Sequence, residues 1–370
     1  MTALYVDRSE VGKIMEARHY LSFEIAFVAL QLMLWVFGRT LSWIFNLEGK
    51  SRRRLTIWVF IVLNCVVLSA PLRLFAETFT VSAFTLTLLL FSGFSSVTVG
   101  VLHIFFKKWD KVLKLLYPII FLGFIGLGLY NAYTPVVHHY QVRLNKPMKP
   151  LRIGMASDTH LGKFFGAKQL DKLAAIMQQE KVDIILLPGD IMDDNVNAYL
   201  AEKMQPHLAK LQAPLGVYAT LGNHDFFGDQ ARIEQEIRKA GIIPVMDESL
   251  VIDNRFTLIG RNDDLVTDRP TTAQLLKDVN TVLPVILMDH RPTDIEQHAN
   301  LPIDIQLSGH AHNGQIFPAN LIVKFIYRLS YGYEQINQGH FFVTSGYGFW
   351  GVPMRLGSQS EVMIIDVVGG

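Results

Sequence analysis

Asparagine, histidine and aspartate stand in a row at Asn223, His224 and Asp225, directly after Leu221 and Gly222. An amide oxygen, an imidazole and a carboxylate on one short loop can serve a metal ion or move a proton. Alone, the stretch also reads as an ordinary polar turn, because glycine and asparagine are turn residues. The construction recurs, however. Asp158 and His160 follow one apolar run, and Asp190 follows another, Val182 to Leu187. Asp289-His290-Arg291-Pro292 closes Leu283 to Met288, and His310-Ala311-His312 lies just past Ile303 to Leu307. Singly, Asp190 is a turn residue after Gly189, His290 a satisfied core histidine, and His310 and His312 a chance pair. Five such blocks, each at the end of an apolar run, exceed what turn chemistry explains. They predict one joint metal site.

The donor types narrow the chemistry. Carboxylates, imidazoles and one amide oxygen, without thiolate, suit divalent first-row metals. Cys65, the one cysteine, lies inside an apolar run, which excludes a disulfide framework and a cysteine-based zinc site. Asp158, His160, Asp190, Asn223, His224, His290, His310 and His312 are too many donors for one tetrahedral ion. Two ions sharing a bridging carboxylate would use them. Such a pair is expected to hydrolyse a phosphoester by a metal-bound hydroxide and to clamp both the entering and leaving oxygens. His224 is then left as general acid or transition-state donor, oriented by Asp225.

Elements must bring these blocks together. From Leu151 onward, short apolar runs alternate with amphipathic stretches, the pattern of an α/β domain. Strands are expected at 151–157, 182–187, 216–220, near 250, and at 256–260, 283–288, 303–307, 340–344 and 362–367. Helices are expected at 167–180, 198–211 and 229–240. In open α/β sheets the ligand site lies beyond the carboxyl ends of the strands, where all five blocks fall.

The blocks Asp158-x-His160, Gly189-Asp190-x-x-Asp193, Gly222-Asn223-His224-Asp225, His290-x-Pro292 and Gly309-His310-x-His312 resemble the calcineurin-like metallophosphoesterase superfamily, in order, over about residues 151–368. The resemblance implies a four-layer α-β-β-α sandwich, which the alternation of strands and helices does not by itself establish. It also implies the ligand sets: Asp158, His160 and His312 for one divalent ion, Asn223, His290 and His310 for the other, and Asp190 as the bridge. The ions would be manganese, zinc or iron. Gly309 to Pro318 and Ser345-Gly346-Tyr347-Gly348, with Pro353 and Arg355, are similar to a membrane-associated branch. That branch includes UDP-2,3-diacylglucosamine pyrophosphatase-like enzymes and bacterial phosphodiesterases active on lipid-linked substrates. Asn313 departs from it, standing where glycine is usual, and this bears on loop shape rather than on a ligand.

Substrate contacts are expected from the same region. Arg355 could pair with a phosphate, since guanidinium suits that geometry. Phe349 and Trp350, in the irregular loop Gly346 to Gly351, together with Leu321 to Tyr327, could form an apolar rim.

The whole chain of 370 residues is 50% hydrophobic and only 18% charged, apolar for a soluble protein. A net charge of +1 gives no ground for a nucleic-acid partner. The apolar excess lies before about residue 134, in four runs near 22–44, 55–75, 79–106 and 115–133, each long enough to cross a bilayer. A cleaved signal peptide fits the first run less well, because it is long, starts late and contains Glu24. Glu24, Asn64 and His103 could mark a transport path or pair between helices. Lys50 and Arg52–Arg54 in the first loop, and Lys107, Lys108, Lys111 and Lys114 in the third, outweigh Arg73 in the second. The positive-inside rule then puts the carboxyl-terminal domain outside the cytoplasm, while Arg8, Lys13, Arg18, Arg143, Lys146, Lys149 and Arg152 pull mildly the other way.

The expected organisation is a transmembrane four-helix region at 1–134, a connector at 135–150 containing His138 and His139, and a metallophosphoesterase domain at 151–370. A multi-pass protein of a bacterial inner or plasma membrane follows, acting on a phosphoester that is lipid-linked or amphipathic. The alternative is a transporter or sensor gated by a phosphatase-like domain.

Overall fold

The computed structural model describes residues 8–69 and 78–370. By contacts the chain divides into two compact units, Met1–Tyr130 and Asn131–Gly370.

The first unit is helical: α1 (Arg8–Ile44), α2 (Gly49–Ser69), α3 (Thr78–Phe105) and α4 (Asp110–Tyr133), the last running into the second unit. Stretches long and apolar enough to cross a membrane are Glu24–Ile44, Phe79–Phe105 and Lys107–Tyr133. Among the described residues these number three, not the four expected. Helix α2 falls short because Lys50 and Arg52–Arg54 fill its first turns, and the last part of the expected run, which includes Arg73, lies at 70–75, outside the described residues. Asn64 and Gln31 exchange reciprocal amide hydrogen bonds of 3.0 and 3.2 Å between α2 and α1. This is the pairing a polar residue needs inside an apolar bundle.

The second unit contains the strands β1 (Val136–Leu144), β2 (Leu151–Met155), β3 (Ile184–Pro188), β4 (Val217–Thr220), β5 (Ile243–Pro244), β6 (Glu248–Ile252), β7 (Phe256–Gly260), β8 (Val285–Met288), β9 (Ile305–Ser308), β10 (Gly332–Ile336), β11 (Gly339–Val343) and β12 (Glu361–Gly369). They form two six-stranded sheets, ordered β1-β12-β2-β3-β4-β5 and β10-β11-β9-β8-β7-β6. Strands β2, β3 and β4 are parallel neighbours in one sheet, and β7, β8 and β9 in the other.

These central strands are almost uninterrupted apolar runs because both their faces are buried. Ile153, Ile184 and Leu186 of the first sheet pack against Phe256, Ile286 and Leu307 of the second in one core. On the other face of the first sheet, Ile185, Leu187 and Val217 pack with Leu170, Leu173 and Met177 of α5 (Ala167–Gln179) and with Ile233 and Ile237 of the helix Gln230–Lys239. The outer face of the second sheet is covered by short elements carrying Leu276, Ile295 and Ala299. The layering is thus helix, sheet, sheet, helix.

Two expectations are corrected. The connector at 135–150 contains β1, which pairs in parallel with β12 over Val136–Leu144. It is an edge strand whose partner supplies the pairing that its own His138-His139-Tyr140 sequence does not advertise. The helix expected at 198–211 is two short helices, Asn197–Ala201 and Gln205–Leu208. Pro206 lacks the N–H that a continuous helix would need and is accommodated in the first turn of the second.

Candidate metal centre

The carboxyl ends of β2, β3 and β4 meet those of β8 and β9, and every block of donors is on a loop leaving one of them. The loops are tied to each other before any side chain is considered. Asp158 N donates to Gly189 O at 3.0 Å, His160 N to Asp190 O at 3.0 Å, and Gly309 N to His290 O at 2.9 Å. His290 Nδ1 lies 2.8 Å from Pro188 O, which joins the second sheet to the first and turns Nε2 inward.

Asp158, His160, Asp190, His310 and His312 all have positive φ, between 41° and 66°. For residues with a Cβ this left-handed region is uncommon and costs on the order of 1–3 kcal/mol each. Five strained donors in one cluster mark a place where geometry is set by function. Gly222 belongs to the same arrangement: a Cβ there would stand 2.2 Å from Asp190 Oδ1 and 2.7 Å from His290 Nε2. At Gly309 a Cβ would meet Asp158 Oδ2 at 2.3 Å.

The side chains converge in overlapping groups. Asp158, His160 and His312 offer ligand atoms within 4.8 Å of one another, as do Asp190, His290 and His310. His160 Nε2 is 3.1 Å from His312 Nε2, and His312 Nε2 is 3.4 Å from Asp158 Oδ1. Asp190 stands between the groups, with Oδ2 3.2 Å from His290 Nε2 and 3.6 Å from His160 Nε2. Its Oδ1 accepts from His224 N at 2.8 Å, and Asp158 Oδ1 accepts from His310 N at 2.9 Å. Both carboxylates are therefore held by backbone on one side and present the other side to the cluster.

Electrostatics and unmet hydrogen-bonding capacity fit a cation. Burial acts against charge on His290, yet the Asp190 carboxylate, with Asp158 behind it, outweighs burial and pushes this histidine up to about 10. Burial also raises Asp190, but His290 and His160 together hold it well below the ordinary carboxylate range. Burial keeps His310 and His312 well below the usual histidine range, helped by the charge near His290 in one case and near His160 in the other. Burial thus favours the neutral form of those two rings, the form that donates a lone pair to a metal. Asp158 Oδ2, His160 Nδ1, Asn223 Oδ1 and His290 Nε2 are buried without a hydrogen-bond partner. Buried polar atoms are nearly always paired, so four such atoms in one cluster suit an ion rather than a core.

Beyond the expected ligands, the structure changes several roles. Asp225 does not orient His224. Its carboxylate accepts from Ile191 N, Met192 N and Gly222 N at 2.9–3.2 Å and so ties the β3 loop to the β4 loop. Burial and the Asp190 charge push it up to about 6, against those three donors. The partner of His224 is Asp194, whose Oδ1 is 2.6 Å from Nδ1. Asp194 carries no periodic signal, and its only trace in the sequence is its place after Gly189-Asp190-x-x-Asp193.

Arg355 is fully buried rather than facing a substrate. It donates to Ser345 O at 2.6 Å, Gly348 O at 2.7 Å and His312 O at 3.3 Å, and lies 3.2 Å from His312 Nδ1. Its two terminal nitrogens are engaged by backbone carbonyls and by Ser358 Oγ, while Nε has no partner, and the side chain fastens the His312 loop to the 345–348 loop. Phe349 is likewise in the core, edge-on to Phe165 at 5.3 Å. Trp350 is 43% exposed and 6.0 Å from the His224 ring, and Phe227, which sequence reasoning passed over, is 57% exposed and 5.1 Å from it. Leu321 to Ile326 falls on the helix Ala319–Ile326, with Leu321 and Phe325 exposed, and Tyr327 follows its end in extended backbone.

Comparison with known proteins gives the family. Residues 151–314 match the calcineurin-like phosphoesterase family. An uncharacterized metallophosphoesterase of Aquifex aeolicus is 32% identical over 260 residues, covering 66% of this chain and 97% of that protein. One of Campylobacter jejuni is 29% identical over 279 residues, covering 71% and 73%. A transmembrane protein with metallophosphoesterase domain of Bos taurus is 28% identical over 259 residues, covering 64% and 58%. The converging strand-end loops and the long match to the Aquifex protein lead to one conclusion: this chain belongs to the calcineurin-like metallophosphoesterases, metal-dependent hydrolases of phosphoester bonds.

Proposed function

We propose that the protein is a membrane-tethered phosphoesterase that holds two divalent metal ions and acts on a lipid-linked or amphipathic substrate. The observation that carries this reading is the position of the Asp190 carboxylate between two groups of ligand atoms, 3.2 Å from His290 and 3.6 Å from His160. Asp158, His160 and His312 would hold one ion, Asn223, His290 and His310 the other, and Asp190 would serve both. When bound, such ions supply water activation at neutral pH and neutralise charge on the oxygens of an in-line displacement.

The chain's own groups do the rest. His224 Nδ1 is engaged by Asp194 at 2.6 Å, which fixes the ring. Its Nε2 is then the atom from which a proton can pass to the leaving oxygen. Asp225 and Arg355 keep the loops in register from behind. Phe227 and Trp350 beside His224 give the mouth an apolar edge, as an acylated substrate would require.

The membrane reading rests on the three long apolar helices, and α2 is proposed as a fourth crossing. The basic clusters of the first and third loops lie at one end of the helical unit, where Lys114 Nζ donates to Asn46 Oδ1 at 2.6 Å. That end is proposed to face the cytoplasm, with the metallophosphoesterase unit on the other side.

The substrate class is tested with the purified full-length protein loaded in turn with manganese, zinc and iron. Phe227→Ser with Trp350→Ser should lower kcat/KM for acylated phosphoesters by about tenfold or more, the loss of two apolar contacts. It should spare bis-p-nitrophenyl phosphate. Equal losses on both substrates would make the rim structural, and no loss on either would point to a soluble substrate.

A further inference from the structure

We propose that the helical unit contains a binding site for one anionic phospholipid, in a groove between α1 and α3, with Arg39 as the counter-ion of the lipid phosphate. The groove has a volume of about 420 Å³ and is walled by Trp35, Arg39 and Trp43 on α1 and by Val99, Gly100 and His103 on α3. It exists because small residues face it. Nothing lies within 4 Å of the position a side chain at Gly100 would take. Its floor is closed by Thr40 Oγ1, which donates to Ser96 Oγ at 2.9 Å, while Ser96 Oγ donates to Ser92 O at 2.8 Å.

Arg39 is the unusual member. It is exposed, lies inside the candidate span Glu24–Ile44, and has no ion-pair or hydrogen-bond partner among the described residues. A charge at membrane depth needs a partner or a route to the interface. Ile44 is five residues further on, so Arg39 sits about 7–8 Å inside that helix end. A guanidinium on its flexible stem covers that distance.

The end of the helix is marked by polar pairing. Trp43 Nε1 donates to Asp110 Oδ1 at 2.8 Å, and Lys114 Nζ is 2.7 Å from Asp110 Oδ2. Asp110, 3.6 Å from His103 as well, is thus committed elsewhere and does not neutralise Arg39. A phosphate at this level does, in the bidentate geometry guanidinium favours. Below it, the exposed ring of Trp35 and the buried Val99 line a slot suited to an acyl chain. Trp43 occupies the boundary that indole rings prefer. Lys107 and Lys108, in the turn that follows α3, enrich anionic over zwitterionic lipid near the groove.

The experiment is native mass spectrometry of the full-length protein in detergent, equilibrated with phosphatidylglycerol or phosphatidylcholine, with and without millimolar inorganic phosphate. The wild type should retain one phosphatidylglycerol per chain, about fivefold in preference to phosphatidylcholine. Arg39→Gln should remove the preference and Arg39→Lys should keep most of it. Gly100→Leu should fill the groove and lower retention of both lipids. Unchanged helical circular dichroism ties a loss to the groove. The proposal is overturned if Arg39→Gln and Gly100→Leu both retain phosphatidylglycerol like the wild type. It is also overturned if phosphatidylcholine is held equally well, or if inorganic phosphate displaces the lipid completely.

Discussion

Asp190 is the residue whose surroundings are least like those of a surface aspartate. One oxygen is fixed by the backbone of His224 and the other faces two histidines on different loops. Asp190→Asn replaces the carboxylate proposed to bridge the two ions by an amide and should weaken metal retention by more than about 100-fold, since even outer partners of ligands are worth 10- to 100-fold. Elemental analysis of the purified variant checks this. Two ions per chain with ordinary turnover would remove Asp190 as a bridge. His224→Ala is expected to behave differently: metals stay bound while turnover slows about 10²- to 10⁴-fold. The loss should shrink for leaving groups as good as p-nitrophenol. Asp194→Asn should show the same leaving-group dependence in milder form, because it holds His224 Nδ1 without touching the substrate. A uniform loss across leaving groups would argue against proton donation.

Among the elements, the loops after the strands carry the site, and their shape is held by buried charges rather than by regular structure. Arg355 bonds four carbonyls across two loops, so Arg355→Met leaves acceptors at His312, Ser345, Gly346 and Gly348 unsatisfied in the interior. The expected outcome is a stability loss on the order of 3 kcal/mol, seen as a lower thermal midpoint, together with weaker metal retention. A variant with wild-type stability and a raised KM alone would return Arg355 to the substrate. Asp225 plays the corresponding part between the loops after β3 and β4.

For the molecule as a whole, the proposed sidedness follows from charge alone, because loops rich in lysine and arginine remain in the cytoplasm. A reporter active only in the cytoplasm, fused after Gly370, should be silent, and one active only outside should report. A positive cytoplasmic reporter would invert the arrangement and place the metal site with cytoplasmic substrates.

The convergence of these side chains was legible in the sequence because residue types able to bind a metal are few, and five apolar runs ended in them. The central strands were legible because burial on both faces demands uninterrupted apolar runs. The edge strand β1 was not, since its order comes from pairing with β12. Nor was the partner of His224. Asp194 and Asp225 are both aspartates near a histidine, and only the turn of each loop shows which carboxylate meets the ring and which meets backbone N–H groups. Arg355 and Phe349 carried the right chemistry for a substrate, but residue type does not reveal burial. Packing decided that one guanidinium would fasten loops and one phenyl ring would fill the core, while Trp350, the next residue along, stays exposed beside His224.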